Sequence, residues 1–344
     1  MTPPAAALLL GKLIKGESLS FGEMQGAMTG IMEGQWTQGQ IGGFLIALRI
    51  KGETPQEIAA AVTILREKST LVPTSAKPVV DTCGTGGDHS GSFNISTAAA
   101  IVAAGGGVAV AKHGNKAVSS ACGSANVLQE LGVNLELTPE QVGDCVDKCR
   151  IGFLYAPKLH SSFKHVIGVR QELGQRTLFN LLGPMLNPAR AKRQIIGVYD
   201  LNLTTTLAHV LAELRSEHVM VVAGTDGMDE ISLTAPTKVA ELKDGDVFEY
   251  ILNPQDLGFS LCGKEDLMGG DATTNAAIIR GILDGKKSPA LDIVLVNAGA
   301  ALYVGGLAPN LKGGVALARK SVESGAARST LERWASHSRS LSNA

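Results

Sequence analysis

The sequence predicts an α/β protein, with a small all-helical domain over 1–72 and a large domain over 73–344 built on a mainly parallel central sheet flanked by helices. Three observations carry this. Capping boxes succeed one another through the first part of the chain, the composition turns to proline and serine over 71–78, and from Val79 short apolar strand patterns alternate with helical ones. Such alternation favours parallel strands joined by crossover helices, and the proline-containing stretch marks a linker. With 344 residues, 44% of them hydrophobic, the chain can bury a substantial core in one large domain and a smaller one.

The helical part comes first. Ser20 with Glu23, Thr37 with Gln40 and Thr54 with Glu57 each set a hydroxyl ahead of a side chain that reaches back to the cap, and Pro55 fixes φ at the first helical position. The amphipathic runs behind them, such as 41–50 and 58–65, are too short to persist alone and must pack on one another. Candidate strands follow at 79–82, 108–112, 152–155, 194–199 and 219–223, with 237–242 and 246–251 turning through Asp244-Gly245. Residues 160–188 keep helical spacing and end in Asn180-Leu181-Leu182-Gly183-Pro184-Met185-Leu186-Asn187-Pro188, so they read as an insertion between strands.

Polar clusters stand at the exits of three predicted strands. After the first come Gly84, Gly86 and Gly87, whose NH groups can approach an anion closely, and then Ser96 and Thr97 at the start of an alanine-rich helix whose dipole favours the same anion. The loop lacks the Lys-Ser or Lys-Thr ending of a P-loop and the glycine spacing of a dinucleotide fingerprint. After the second strand come Lys112-His113-Gly114-Asn115-Lys116, and after the fifth Asp226-Gly227-Met228-Asp229-Glu230. Ligands of open α/β sheets sit beyond the carboxyl ends of strands, and paired carboxylates there suit Mg²⁺ when phosphates complete its shell.

Together, Gly84-Thr85-Gly86-Gly87-Asp88, Asn94-Ile95-Ser96-Thr97, Lys112-His113-Gly114-Asn115, Asp229-Glu230 and Gly270-Asp271-Ala272-Thr273-Thr274-Asn275-Ala276 closely resemble the anthranilate phosphoribosyltransferases, along nearly the whole chain. One departure is Lys116, which stands where that family usually has arginine; it keeps the charge but not planar bidentate pairing. The resemblance implies transfer of the 5-phosphoribosyl group of PRPP to anthranilate, releasing pyrophosphate, in tryptophan biosynthesis. It further implies a homodimer using two Mg²⁺ ions per subunit.

By the same resemblance, Gly84, Gly87, Asn94, Ser96, Thr97 and Lys112 are assigned to the phosphates or ribose of PRPP. Ser96 is also assigned to one Mg²⁺, and Asp229 with Glu230 to the second. Lys112, Ser96 and Glu230 are expected to stabilise the transition state and leaving group, with no certain acid or base. Asp88 is placed with them at the PRPP site, where it either orients the loop, holds metal through water or closes the loop as an Asx residue; the role of Ser92 is left open. Residues 160–188 are expected to rejoin the small domain and bring Arg170 over the crevice to grip a carboxylate, although the sequence alone reads Arg170 as a solvated helix residue. Gly84, Asn115 and Arg170 would orient anthranilate, and His113, Pro157 and His160 would line its approach. His113 is either an ordinary polar residue or a proton-transfer group. Ser124 is either a helix cap or a PRPP ligand. The aromatic amine is neutral at about pH 7 and needs positioning more than a strong base.

A formal net charge of −1 gives no electrostatic case for a nucleic-acid or membrane partner. Five cysteines without a framework spacing point to the reducing cytoplasm. Cys145 and Cys149, without a second pair, read as buried thiols, and Cys83 as structural. The opening Met1-Thr2-Pro3-Pro4, followed by a short apolar run, has neither a basic leader nor the length to span a membrane. Three rivals are a pyrimidine nucleoside phosphorylase, for which no base-recognition set is found; a non-enzymatic nucleic-acid-binding relative of the same fold, which would show a basic surface and eroded metal carboxylates; and a purely structural interaction protein, which would not require three polar clusters at separate strand ends.

Overall fold

The computed structural model describes residues 5–116 and 122–341; the opening Met1–Pro4 lies outside them. Four helices come first, α1 (Ala5–Ile14), α2 (Phe21–Met32), α3 (Gln38–Lys51) and α4 (Pro55–Glu67). All three predicted capping boxes close, with Ser20, Thr37 and Thr54 each accepting the N–H three residues on. Glu57 also reaches inward: its buried carboxylate accepts from Leu19 N (2.8 Å) and Lys51 Nζ (2.9 Å). One side chain thereby caps α4, pairs a buried cation from α3 and fixes the entry to α2.

The chain then alternates as β1 (Val79–Asp81), α5 (Ile95–Gly105), β2 (Ala109–Gly114), α6 (Ser124–Glu130), α7 (Pro139–Cys149) and β3 (Ile151–Tyr155). Three helices, α8 (Ala156–Leu159), α9 (Lys164–Leu173) and α10 (Leu178–Leu182), lead to β4 (Arg193–Gly197), α11 (Leu201–Glu213), β5 (His218–Gly224), β6 (Thr237–Lys243) and β7 (Asp246–Leu252). A helical layer of α12 (Ala272–Leu283), α13 (Pro289–Val304), α14 (Leu311–Glu323) and α15 (Ala326–Ser340) completes the chain. Every candidate strand forms, with ends moved by a residue or two. The sheet order is β3-β2-β1-β4-β5-β6-β7, parallel from β3 to β5 and antiparallel through the β6–β7 hairpin. Asp244 (φ 54°) and Gly245 (φ 92°) give that hairpin the left-handed pair whose twist matches its strands.

Two apolar cores divide the sheet by its period of two. On β5, Met220 and Val222 join α5 and α13 in one core. Val219, Val221 and Ala223 join α11 and α1–α4 in the other, together with Val166 and Val169 of α9 and Leu178 and Phe179 of α10. The inserted segment thus shares its core with the N-terminal helices. From β1 the chain moves out to β2 and β3 and returns on the other side to β4, so a crevice opens where the connections diverge beyond the strand ends. No described helix is long and apolar enough to cross a membrane.

Candidate active site

Three strand exits meet at this crevice. The glycine loop leaving β1 docks on the end of β4, where Thr85 N donates to Gly197 O at 2.8 Å. Gly197 is required by close approach, because a Cβ there would lie 1.5 Å from the carbonyl oxygen of Asp229. The β4 exit is thereby wedged between the glycine loop and the acidic loop after β5. Asp88 spans the same gap: its carboxylate accepts from Ser90 N (3.1 Å), the Asx closure, and from Asp229 N (3.4 Å).

Glu230 Oε1 accepts from Ser96 N (3.1 Å) in the first turn of α5, where the helix dipole favours a negative charge. Lys112 is 2% exposed, and its Nζ donates to Thr82 O (3.0 Å) and Ser96 Oγ (3.2 Å). A buried ammonium, a helix N-terminus and the Glu230 carboxylate thus meet at Ser96, with Asp229 beside Glu230. Burial and the nearby Asp88 raise the pKa of Asp229, while burial and Asp229 raise that of Glu230. Among the described residues no three His, Cys, Asp or Glu side chains form a ready metal cage. The donor set nevertheless fits Mg²⁺, since these are hard oxygen ligands, mutually repelling and buried, whose shell phosphate and water would complete.

Asn297, which the spacing did not single out, and Asn275 of the 270–276 motif hold these groups in place. Asn297 on α13 makes a paired contact with Ile231, accepting its N–H and donating to its carbonyl, each at 3.0 Å; this fixes the residue after Glu230. Asn275 donates to Asn94 Oδ1 at 2.9 Å, which gives the motif around 270–276 a physical purpose. Asn94 in turn donates to Cys122 O (3.0 Å) and, although it is the N-cap of α5, makes no side-chain cap bond. Thr97 Oγ1 donates to Ser124 Oγ (3.2 Å), bringing Ser124 beside the start of α5. The cap reading of Ser124 is corrected, because Gly123 is the N-cap of α6 and Ser124 its first helical residue.

Across the crevice, His113 and His160 face each other with Nε2 atoms 3.1 Å apart, and His113 Nδ1 lies 3.0 Å from Gly183 O. A carbonyl only accepts, so Nδ1 of His113 carries the proton and its Nε2 must accept from His160 Nε2–H. Burial pulls His113 down to about 3 and His160 down to about 4, which keeps both rings neutral at physiological pH. The lone pair a base would use is already engaged, so proton transfer by His113 is not supported.

Behind His113, buried Asp81 accepts its N–H (3.0 Å) and a bond from Asn187 Nδ2 (2.7 Å). Asn187 donates also to Ala111 O at 2.8 Å, locking the end of the inserted segment to β1 and β2. Pro157 lies in α8, and His160 caps its C-terminus. Asn115 and Lys116 are exposed just past β2, with Lys116 Nζ 6.0 Å from the centre of the Tyr155 ring. The solvated reading of Arg170 gives way: its guanidinium is partly buried over the Phe179 ring at 5.8 Å, and burial lowers its pKa. Cys145 and Cys149 are buried free thiols. Cys83 is also free, and burial pushes its thiol far above the thiolate range.

Comparison with known proteins settles the family. Residues 76–328 match the α/β domain, and residues 8–69 the helical bundle domain, of a glycosyl transferase family. Over 325 residues the chain is 52% identical to anthranilate phosphoribosyltransferase of Symbiobacterium thermophilum, covering 94% of this chain and 95% of that one. With the Chromobacterium violaceum enzyme of that name it shares 50% over 342 residues, 99% of each. The chain belongs to the anthranilate phosphoribosyltransferase family. Its fold superposes on the Thermus thermophilus anthranilate phosphoribosyltransferase with a TM-score of 0.91 at 43% identity, covering 96% of this chain and 99% of that one. The Saccharomyces cerevisiae enzyme in complex with PRPP and Mg gives 0.90 at 28% identity, over 99% of both chains.

Proposed function

We propose that this chain transfers the 5-phosphoribosyl group of PRPP to the amine of anthranilate, giving N-(5-phosphoribosyl)anthranilate and pyrophosphate in tryptophan biosynthesis in the cytoplasm. The observation that carries the reading is the gathering of the glycine loop, Lys112, Ser96, Asp229 and Glu230 at the switch point of the sheet, in a chain about half identical to enzymes of that name over nearly its full length. On this reading 73–344 forms the PRPP- and metal-binding domain, and 1–72 joined by 160–188 the helical one.

The residues divide by what each does. The NH groups around Gly84 and Gly87, with Asn94, Ser96, Thr97 and Ser124, bind the phosphates and ribose of PRPP. Lys112 is held by Thr82 and Ser96; its ammonium, kept from water, opposes the charge that builds on the leaving pyrophosphate more strongly than an exposed one would. Ser96 and the Asp229–Glu230 pair would hold two Mg²⁺ ions per subunit, which supply further neutralisation of that leaving group. Arg170 pairs with the carboxylate of anthranilate, while Asn115 and Gly84 orient its amine. The neutral His113–His160 pair lines the approach and presents no competing charge. Attack then needs alignment more than proton abstraction.

The homodimer reading is supported by the outer face of the helical part, where Leu13, Ile14, Gly42, Ile46, Ile50 and Val169 line an apolar groove and Ile50 is 82% exposed. Two copies burying such a face would hide it from water. Ile50→Glu is expected to sediment as a monomer, and an unchanged dimer would move the interface elsewhere.

The reaction class is tested with purified protein, PRPP, MgCl₂ and anthranilate. Loss of anthranilate fluorescence should match pyrophosphate release one for one and should stop on chelation of Mg²⁺. Phosphorolysis of thymidine or uridine, without anthranilate consumption, would replace this reading with the phosphorylase one.

A further inference from the structure

The glycine loop contains no regular ladder, so its shape depends on a few discrete holds. Thr85 is fixed to the β4 exit and Asp88 to Asp229. Between them the carbonyl of Gly87 accepts from Nη2 of Arg176. That guanidinium also lies over the Tyr199 ring, 3.6 Å from its centre, and Tyr199 follows β4 closely in sequence. A cation so near an aromatic face is held by both charge and packing, and a planar guanidinium fits the ring in a way an ammonium does not. Gly87 has φ 82°, and a Cβ there would come within 3.2 Å of Arg176 Nη2, so the loop and the arginine are fitted to each other.

Arg176 belongs to the inserted segment, just past the left-handed cap Gly174 of α9. It reaches from the segment that carries Arg170 to the loop assigned to PRPP. The peptide joining Gly87 to Asp88 is planar and trans, so its C=O and N–H point in opposite directions. Holding the Gly87 carbonyl toward Arg176 therefore turns the Asp88 N–H away from the guanidinium.

We infer that Arg176, stacked on Tyr199, is a positioning residue that sets the glycine loop in its phosphate-binding shape through the plane of its guanidinium, and not through its charge alone. The inference rests on the PRPP reading of the loop. Positive charge near a phosphate would be preserved by lysine; the clamp would not.

The test is calorimetric titration of PRPP with Mg²⁺ into the wild type, Arg176→Lys, Tyr199→Leu, Tyr199→Phe and the Arg176→Lys/Tyr199→Leu double variant, with thermal unfolding of each. Losing a charge-assisted or stacked hold weakens binding by roughly tenfold. Arg176→Lys and Tyr199→Leu should each weaken PRPP binding by about that factor, and the double variant should be no worse than either single one, because both remove one clamp. Tyr199→Phe keeps the ring and should recover binding to within about twofold. Wild-type affinity in Arg176→Lys or in Tyr199→Leu would overturn the inference. So would multiplying defects in the double variant, or failure of the phenylalanine to rescue. If the wild type bound no PRPP, both this inference and the PRPP reading would fall. If the variants behaved as expected but anthranilate were not consumed, only the reaction would need revising.

Discussion

The pairing of His113 with His160 shows how single residues are tuned at this site. The two rings are joined by one hydrogen bond, and burial holds each neutral well below the ordinary imidazole value of 6.5. As pH falls below about 6.5 the unfolded chain takes up protons that the folded chain refuses until about 4 for His160 and about 3 for His113. Stability from these two residues is therefore full above the unfolded value and drains away as the pH falls through that window. Asp81 acts in the opposite sense, since burial raises it to about 6, so comparison of variants isolates the imidazole better than the wild type alone. His160→Gln keeps a donor for His113 but cannot titrate. Its unfolding free energy between pH 6 and 4.5 should fall less steeply than that of the wild type, by a slope approaching about 1.4 kcal/mol per pH unit. Parallel slopes for the two proteins would mean that His160 titrates normally in the fold.

At the scale of elements, the site is built by strand exits that helices brace from behind. Helix α13 supplies the clearest case, because Asn297 pairs with both backbone groups of Ile231 beside Glu230. Asn297→Leu keeps the volume but leaves buried polar groups unpaired, at a cost of about 1–3 kcal/mol for each. Denaturant unfolding should show that loss, and the Mg²⁺ concentration giving half-maximal turnover should rise because the acidic loop is no longer held. A variant with wild-type stability and Mg²⁺ response would show that the loop holds itself. The capping boxes, the seven strands and the Asp244-Gly245 turn were legible in the sequence because each is written in neighbouring residues. Asn297, Asn187 and Arg176 were not, since their partners lie 66, 106 and 89 positions away and no local pattern marks them. Arg170 lay between these cases: its place on a helix was readable, but its partial burial against Phe179 depends on how the inserted segment packs.

Across the whole molecule, one continuous core joins α1–α4 to α9, α10 and one face of the sheet, while the polar strand exits open on the crevice beside it. On the proposed function labour is divided across that crevice, with PRPP on the sheet side and the carboxylate of anthranilate on the α9 side. Composition and motif order announced the two parts, but how they meet depends on long-range contacts such as Asn187 with Asp81. Arg170→Ala tests the division most directly, through steady-state kinetics for anthranilate alongside calorimetry of PRPP with Mg²⁺. Loss of a charge-assisted contact costs on the order of 1.5–3 kcal/mol, so the anthranilate KM should rise roughly ten- to a hundredfold while PRPP binding stays near wild type. An unchanged anthranilate KM, or equal damage to PRPP binding, would contradict the division.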